Sequence, residues 1–164
     1  RRTRRTAARR GWTDGFAVAA RIREYALATV QGRSPTECEA LRESATSAVA
    51  NLAHAPKAVR SILEQRLAAV AAGTVNPDVA ANEAALRLLC IRAELISGAP
   101  TPPEDLELRR EYQMRRLVES MGHGERVTPA ALDDLALEWI AIGPVEPAVH
   151  DALLARFERC RTAR

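Results

Sequence analysis

The stretch "SGAPTPPEDLELRREYQMRRL", residues 97–117, contains the clearest signals in the chain for where a helix begins. Thr101 can accept a hydrogen bond from a free backbone N–H as an N-cap, and Pro102 suits the first helical position. Glu104 follows three residues after Thr101 and completes a capping box, while Glu104 and Asp105 face the positive end of the helix dipole. We therefore predict a helix that starts at residue 102 with Thr101 as its cap.

The same pattern recurs along the 164 residues. Ser34, Asn76 and Thr128 each precede a proline as a polar cap, and glycines that can end helices stand at Gly32, Gly73, Gly98, Gly122 and Gly143. Between these signals, apolar residues recur every three or four positions, with no sustained alternation of the kind that strands show. We expect these apolar stripes to be buried, including Met114, Leu117 and Val118 in the fifth helix and Trp139 in the sixth. The sequence predicts an all-α fold, a bundle or short repeat array of seven amphipathic helices in antiparallel hairpins. Their predicted bounds are 13–31, 35–54, 56–72, 77–97, 102–121, 129–142 and 147–162.

The net charge of +3 hides an uneven distribution. The first ten residues hold six arginines and no acid, which leaves 18 basic and 21 acidic residues in the rest of the chain. We divide the chain into a basic arm or linker (1–11), a helical hairpin region (12–81) and a C-terminal helical region (82–164). The arm has three interpretations: a nucleic-acid contact, a linker that continues upstream, or a basic first helix. The arginines concerned are Arg1, Arg2, Arg4, Arg5, Arg9 and Arg10.

Two stretches of the second half resemble a known bacterial family. They are "LRLLCIRAELISGAPTPPEDLELRREYQMRRLVESMGHG" and "LEWIAIGPVEPAVHDALLARFE". The second resembles the repeat unit of domain of unknown function number three hundred and forty-nine: a Trp, then Gly-Pro-Val, then a helix that ends in Arg-Phe. The corresponding residues are Trp139, Gly143, Pro144, Val145, Arg156 and Phe157, and Leu154 stands where that repeat usually has a second Trp. The resemblance implies a cytoplasmic helical-repeat protein, of which this chain would be the C-terminal part, and implies no reaction.

Side chains that could carry out chemistry are few and scattered. Cys38, Cys90 and Cys160 are far apart and odd in number, which favours buried free thiols in a reducing, cytoplasmic compartment. His54 and His123 lie near predicted helix C-termini, and we expect His150 on the surface. The pairs Glu104/Asp105 and Asp133/Asp134 fall in first helical turns, where the helix dipole explains them. We therefore predict no metal, no cofactor, no membrane span and no enzymatic activity.

The predicted function is a non-enzymatic interaction or scaffold module that presents helix faces to a protein partner. The alternative is binding of RNA or another nucleic acid through the arginine-rich arm. Arg109 and Arg116, seven residues apart on one helix stripe, would contribute a basic face to that binding. The competing interpretation of these two arginines is a solvated helix face. An enzyme of unknown type is the third possibility, and it requires a deep pocket with convergent polar groups.

Overall fold

The computed structural model describes residues 2–119 and 129–162, with side chains for residues 6–119 and 131–162. Within these ranges the chain forms seven α-helices and one 3-10 turn, and no strand. The all-α prediction is therefore confirmed. The helices are α1 (Arg2–Val30), α2 (Pro35–Ala50), α3 (Lys57–Ala72), α4 (Val79–Ser97), α5 (Leu106–Glu119), α6 (Pro129–Ala141) and α7 (Pro147–Thr162), with the 3-10 turn at Pro103–Asp105.

Several helix boundaries differ from the predicted ones. Helix α1 begins at Arg2 rather than at residue 13, because arginine and alanine favour a helix even where no apolar pattern marks one. Helix α2 ends at Ala50 rather than at residue 54, with Asn51 as its C-cap. Helix α4 begins at Val79 rather than at residue 77, because Asp78 and not Asn76 accepts the backbone N–H of Ala81, at 3.0 Å. The predicted cap Thr128 lies outside the described residues.

The two most similar cap predictions have opposite outcomes. Ser34 caps α2 as predicted and accepts the backbone N–H of Glu37 at 3.3 Å. The prediction for Thr101 is wrong, because no side chain caps the 3-10 turn and α5 begins at Leu106 rather than at residue 102. Thr101 is buried, and its hydroxyl donates to Glu94 at 2.7 Å instead.

The helices pack around one continuous apolar core. Helix α1 lies against α2 and α3, whereas α4 packs chiefly against α7 and α6 rather than against its predicted sequential neighbour α3. One cluster of buried side chains joins the 12–81 region to the region that follows it, and Trp139 is fully buried in it, as predicted. The Trp139 ring stacks on Phe157 with ring centroids 4.7 Å apart, and Phe157 meets Phe16 of α1 edge-on at 6.4 Å.

Three of the predicted glycine stops end helices in the left-handed conformation. Gly32, Gly73 and Gly98 have φ angles of 66°, 70° and 74°, which residues with a side chain rarely adopt. Gly143 has no positive φ and has a packing role instead: a Cβ there would lie 2.8 Å from the amide nitrogen of Asn82. The fifth predicted stop, Gly122, lies outside the described residues.

Helix α5 contributes nothing to this core. None of its described side chains is buried, and its main helix contact is with α4. The sequence predicted Met114, Leu117 and Val118 as part of a buried stripe, and that prediction is wrong because all three are exposed. In the described parts of the chain, no helix is both long enough and apolar enough to cross a bilayer.

Candidate functional site

The arginine-rich segment forms the exposed end of α1. All described side chains from residue 6 to residue 10 are exposed, among them Arg9 and Arg10, and the first buried residue is Gly11, against the backbone of His54. Residues 2, 4 and 5 lie in the same helix, and Arg1 lies outside the described residues. The basic segment is thus a helical extension that projects from the packed body.

Arg109 and Arg116 lie on the side of α5 that faces the body. Both are half-buried, as are Leu108 and Tyr112 on the same side of the helix. Arg109 donates to the Thr101 hydroxyl at 2.9 Å, while Arg116 donates to the Tyr112 hydroxyl at 3.4 Å and lies 6.0 Å from the centre of its ring. The shared stripe that the sequence indicated is therefore present, but it is turned inward.

The outward side of α5 is apolar near its C-terminal end. Met114, Leu117 and Val118 have 62%, 64% and 74% of their surface exposed. In a helix with 3.6 residues per turn, their side lies nearly opposite Tyr112 and Arg116. An amphipathic helix normally buries its apolar side, so α5 has the reverse orientation. An exposed apolar surface of this kind marks a place where something can bind.

A closed cluster of charges lies beneath the start of α5, and we name it the Arg156 cluster. The Arg156 guanidinium of α7 donates to Glu94 of α4 at 2.5 and 3.0 Å, and to Asp105 of the 3-10 turn at 2.5 Å. Thr101 bonds the second carboxylate oxygen of Glu94, and Arg87 bonds Asp105 at 3.4 Å. Burial by itself would lower the pKa of Arg156, but hydrogen bonds to Glu94 and Asp105 raise it overall.

This cluster corrects the interpretation of the segment at residues 97–117. Asp105, expected to face the helix dipole from an exposed first turn, is buried and paired with Arg156. Its neighbour Glu104 is exposed, as a dipole-facing acid would be. The prolines and the buried Thr101 therefore set the point at which α5 is anchored to the body.

A second buried arginine, Arg23 of α1, lies at the C-terminal end of α6. It donates to the backbone carbonyls of Trp139 and of Ile142, the latter at 3.2 Å, and contacts His150 Nε2 at 3.2 Å. The helix dipole places partial negative charge at that end of α6, which favours a cation there. Burial, together with the nearby Arg66, lowers the pKa of Arg23 to about 9.

His150 is buried in this second cluster, so the prediction of a surface position is wrong. The indole N–H of Trp139 donates to its Nε2 at 3.3 Å, and Arg23 approaches the same nitrogen. An Nε2 that accepts both bonds places the ring proton on Nδ1, which faces Asp151 at 3.3 Å. Burial and the charge of Arg23 lower the pKa of His150, which favours the neutral ring.

The three cysteines are free, as predicted, but only two of them are buried. Cys90 and Cys160 lie in the core, whereas Cys38 on α2 is half-exposed. Burial raises the pKa of Cys90 to about 12, and burial also raises the pKa of Cys160. Both thiols stay protonated near neutral pH, which makes them poor nucleophiles and poor metal ligands.

The described residues contain no group of three or more His, Cys, Asp or Glu side chains that could hold a metal ion. His54 is exposed just after α2, and His123 lies outside the described residues. Asp133 pairs with Arg161 at 3.3 Å on the surface.

Comparisons with known proteins found no matching family model, no matching curated protein and no matching solved structure.

Proposed function

We propose that the protein is a non-enzymatic helical interaction module that binds a protein partner through the outward side of α5. The observation that carries the proposal is the reversed orientation of this helix. Leu117 and Val118 are about two-thirds to three-quarters exposed, although the opposite side of α5 lies against the body. Because exposed apolar side chains gain free energy when they leave water, this surface favours a bound partner.

The shape of the surface indicates what kind of partner fits it. Met114, Leu117 and Val118 stand at positions i, i+3 and i+4, the spacing of side chains that anchor a helix in an apolar groove. Arg110 and Arg115 are the exposed arginines of α5, so we expect acidic groups on the rim of the complementary groove where it meets them. Since three side chains bury only a small area, we expect a transient complex rather than a permanent one.

The test compares proteins captured from a cell extract by the wild-type chain and by a triple variant, Met114→Ser, Leu117→Ser and Val118→Ser. The variant removes the apolar side chains without changing charge, and it preserves the fold because these residues are exposed. We expect capture of a discrete partner to be lost. A synthetic peptide that spans residues 103–119 is expected to compete for the same partner.

The matched control is Gln113→Ser, an exposed polar position on the same helix. This control is expected to capture the partner as the wild type does. If the triple variant captures the same proteins as the wild type, or if the peptide does not compete, α5 is not the docking surface. Thermal unfolding of each variant shows whether a loss of capture comes from a loss of folding.

A second candidate function, binding of RNA, is favoured by the projecting end of α1. Five arginines lie within residues 2–10, which contain no acid, and Arg9 and Arg10 are exposed. A helix with this charge can neutralise phosphates and release counterions, so its affinity depends steeply on salt. Total cellular RNA, titrated at about 50 mM and about 200 mM salt, is the probe.

The variant for this test is Arg9→Gln with Arg10→Gln, because cutting the segment away would shorten α1. Salt-sensitive binding that the variant loses would support the RNA function, and a control at Arg33→Gln is expected to bind as the wild type. No binding at the lower salt concentration would exclude it. The first proposal would then stand alone, since it involves α5 and not α1.

Two broader proposals concern the protein to which the chain belongs and its cellular location. We infer that it is the C-terminal part of a larger helical-repeat protein of the family that its second half resembles. The all-α fold supports this, as does the joint packing of Trp139 and Phe157, two residues of the resembling motif. We also infer a reducing, cytoplasmic location, which the three free cysteines support.

A further inference from the structure

A pocket of about 300 Å³ opens between α1 and the start of α7. Arg23 and His150, the buried pair described above, form part of its lining, together with Arg21, Glu24 and Asp151. Ala20, Val145 and Pro147 supply an apolar wall. The pocket thus combines a buried cation, more exposed charges and an apolar surface, the combination that small-molecule sites use.

Arg23 has hydrogen-bonding capacity that the protein does not use. A guanidinium carries five N–H groups, and among the described residues Arg23 contacts three acceptors: two backbone carbonyls and His150. No carboxylate among the described side chains bonds to it, although it is only 4% exposed. A buried cation without a full counter-charge is costly, so a negative group beside Arg23 would be stabilised.

The other charges of the pocket limit which anion can enter. The Asp151 side chain is 79% exposed, and Glu24 is exposed as well, so two carboxylates lie near solvent while Arg23 lies deeper. Arg21 is also exposed and donates to Ser44 Oγ at 3.1 Å. With His150 neutral, the lining has two positive and two negative groups. A simple anion would meet repulsion from the two carboxylates on its way to Arg23.

We propose that this pocket binds a small zwitterion of the α-amino-acid class. Its carboxylate contacts the unused N–H groups of Arg23, and its ammonium group points toward Asp151 and Glu24. An aliphatic side chain of the ligand lies against Val145 and Pro147. The pocket is separate from the outward side of α5 and from the exposed end of α1, so the inference does not rest on either proposed function.

The experiment uses the indole N–H of Trp139 as a reporter in NMR titrations, because it bonds His150 inside the Arg23 cluster. The indole of Trp12, which packs under Arg161 with 4.7 Å between guanidinium and ring centre, serves as the internal control. Three probes are compared: L-leucine, isocaproate, which lacks the ammonium group, and isoamylamine, which lacks the carboxylate. We expect L-leucine to shift the Trp139 signal with a Kd on the order of 1 mM, and the two analogues to bind more weakly.

Two variants separate the roles of the charges. Asp151→Asn with Glu24→Gln is expected to weaken L-leucine binding by about tenfold, because its ammonium group loses two carboxylate partners. The same variant is expected to strengthen binding of isocaproate, because this anion no longer meets repulsion from the two carboxylates. Arg23→Met is expected to abolish binding of L-leucine and of isocaproate, the two ligands that carry a carboxylate. The control Glu64→Gln changes an exposed acid on α3 outside the pocket lining and is expected to bind L-leucine as the wild type.

The proposal is overturned if L-leucine does not shift the Trp139 signal at about ten times the expected Kd. Equal shifts from L-leucine and isocaproate would also overturn it, because they would show that the ammonium group does not contribute to binding and that the pocket recognises only the carboxylate. If Arg23→Met does not fold, the charge-neutral variants of the exposed Asp151 and Glu24 still decide between these outcomes.

Discussion

Arg156 and Arg23 are both buried and both tie helices together, but their partners differ. Arg156 has two carboxylates, Glu94 and Asp105, within hydrogen-bonding distance. Arg23 has two backbone carbonyls and a neutral histidine. The same side chain is therefore fully charge-compensated in the Arg156 cluster and only partly compensated in the Arg23 cluster.

This difference in charge compensation bears on the two proposed binding surfaces. In the Arg156 cluster, α4, α7 and the 3-10 turn before α5 are joined by ion pairs, and the start of α5 is fixed while its outward side stays exposed. In the Arg23 cluster, the arginine keeps unused N–H groups beside a pocket. The Arg156 cluster would hold α5 in place for the proposed docking surface. The Arg23 cluster would offer free N–H groups to the proposed ligand.

The strongest test of the comparison is the pair Arg156→Met and Arg23→Met, the same substitution at both positions. We expect Arg156→Met to lower the free energy of unfolding by about 3–5 kcal/mol, because it leaves Glu94 and Asp105 buried without their main cation. Urea unfolding at neutral pH measures this change. The control Arg159→Met, exposed on the same helix, is expected to change stability by less than about 0.5 kcal/mol.

Arg23→Met is expected to cost less, about 2 kcal/mol, measured in the same way. The substitution removes hydrogen bonds from a charged donor, but it leaves behind only carbonyls and a neutral ring rather than buried charges. The loss of stability is partly offset, because the variant no longer buries a charged group. The unfavourable burial of that charge is what lowers the pKa of Arg23. Equal costs for both variants would show that the compensation of charge does not distinguish the two clusters.

The sequence predicted most of the fold because local signals determine it. Ser34, Gly32, Gly73 and Gly98 act at helix ends as predicted, since caps and left-handed glycines depend on residues within one turn. The buried Trp139 followed from the apolar period of α6. The predicted start of α1 at residue 13 was wrong because the first turns have no apolar stripe, although a basic first helix was one of the three interpretations of the arm.

The buried clusters could not be predicted in the same way, because their partners are far apart in sequence. Arg156 and Glu94 are 62 positions apart, and Arg23 lies 127 positions before His150. One signal was available: each of these charges interrupts an apolar stripe, Glu94 beside Ala93 and Arg156 beside Phe157. A charge on a buried stripe indicates a buried pair without naming its partner. Thr101 shows a different failure, because its hydroxyl bonds Glu94, seven residues earlier and held in the buried Arg156 cluster, instead of capping the helix that follows.

Thr101→Val tests how much one hydroxyl group stabilises the Arg156 cluster. The substitution keeps the shape but removes the hydroxyl that donates to Glu94 and accepts from Arg109. We expect a loss of about 1 kcal/mol in the free energy of unfolding, because a hydrogen bond to a buried carboxylate is lost. Thr101→Ser, which keeps the hydroxyl, is expected to lose less. If Thr101→Val is as stable as the wild type, the hydroxyl adds nothing to the cluster.

The smallest expected effect concerns the Arg23 cluster and pH. Because the folded protein holds the pKa of His150 below its ordinary value of 6.5, the unfolded chain binds a proton first as the pH falls. The contribution of His150 to stability is therefore complete above pH of about 6.5 and is lost as the pH falls toward the folded pKa. For one proton, the slope stays below about 1.4 kcal/mol per pH unit.

His150→Gln isolates the pH-dependent contribution of His150 to stability, because glutamine keeps an acceptor for Trp139 but does not titrate. Urea unfolding at pH of about 7 and about 5 is expected to show a smaller loss of stability for His150→Gln than for the wild type. The two proteins differ only at this position, so the difference between their losses belongs to His150. His54→Gln, at an exposed position, is expected to keep the wild-type difference. An unchanged loss in His150→Gln would mean that Arg23 and burial do not hold the ring neutral, and the partly compensated cluster would then tolerate a second positive charge.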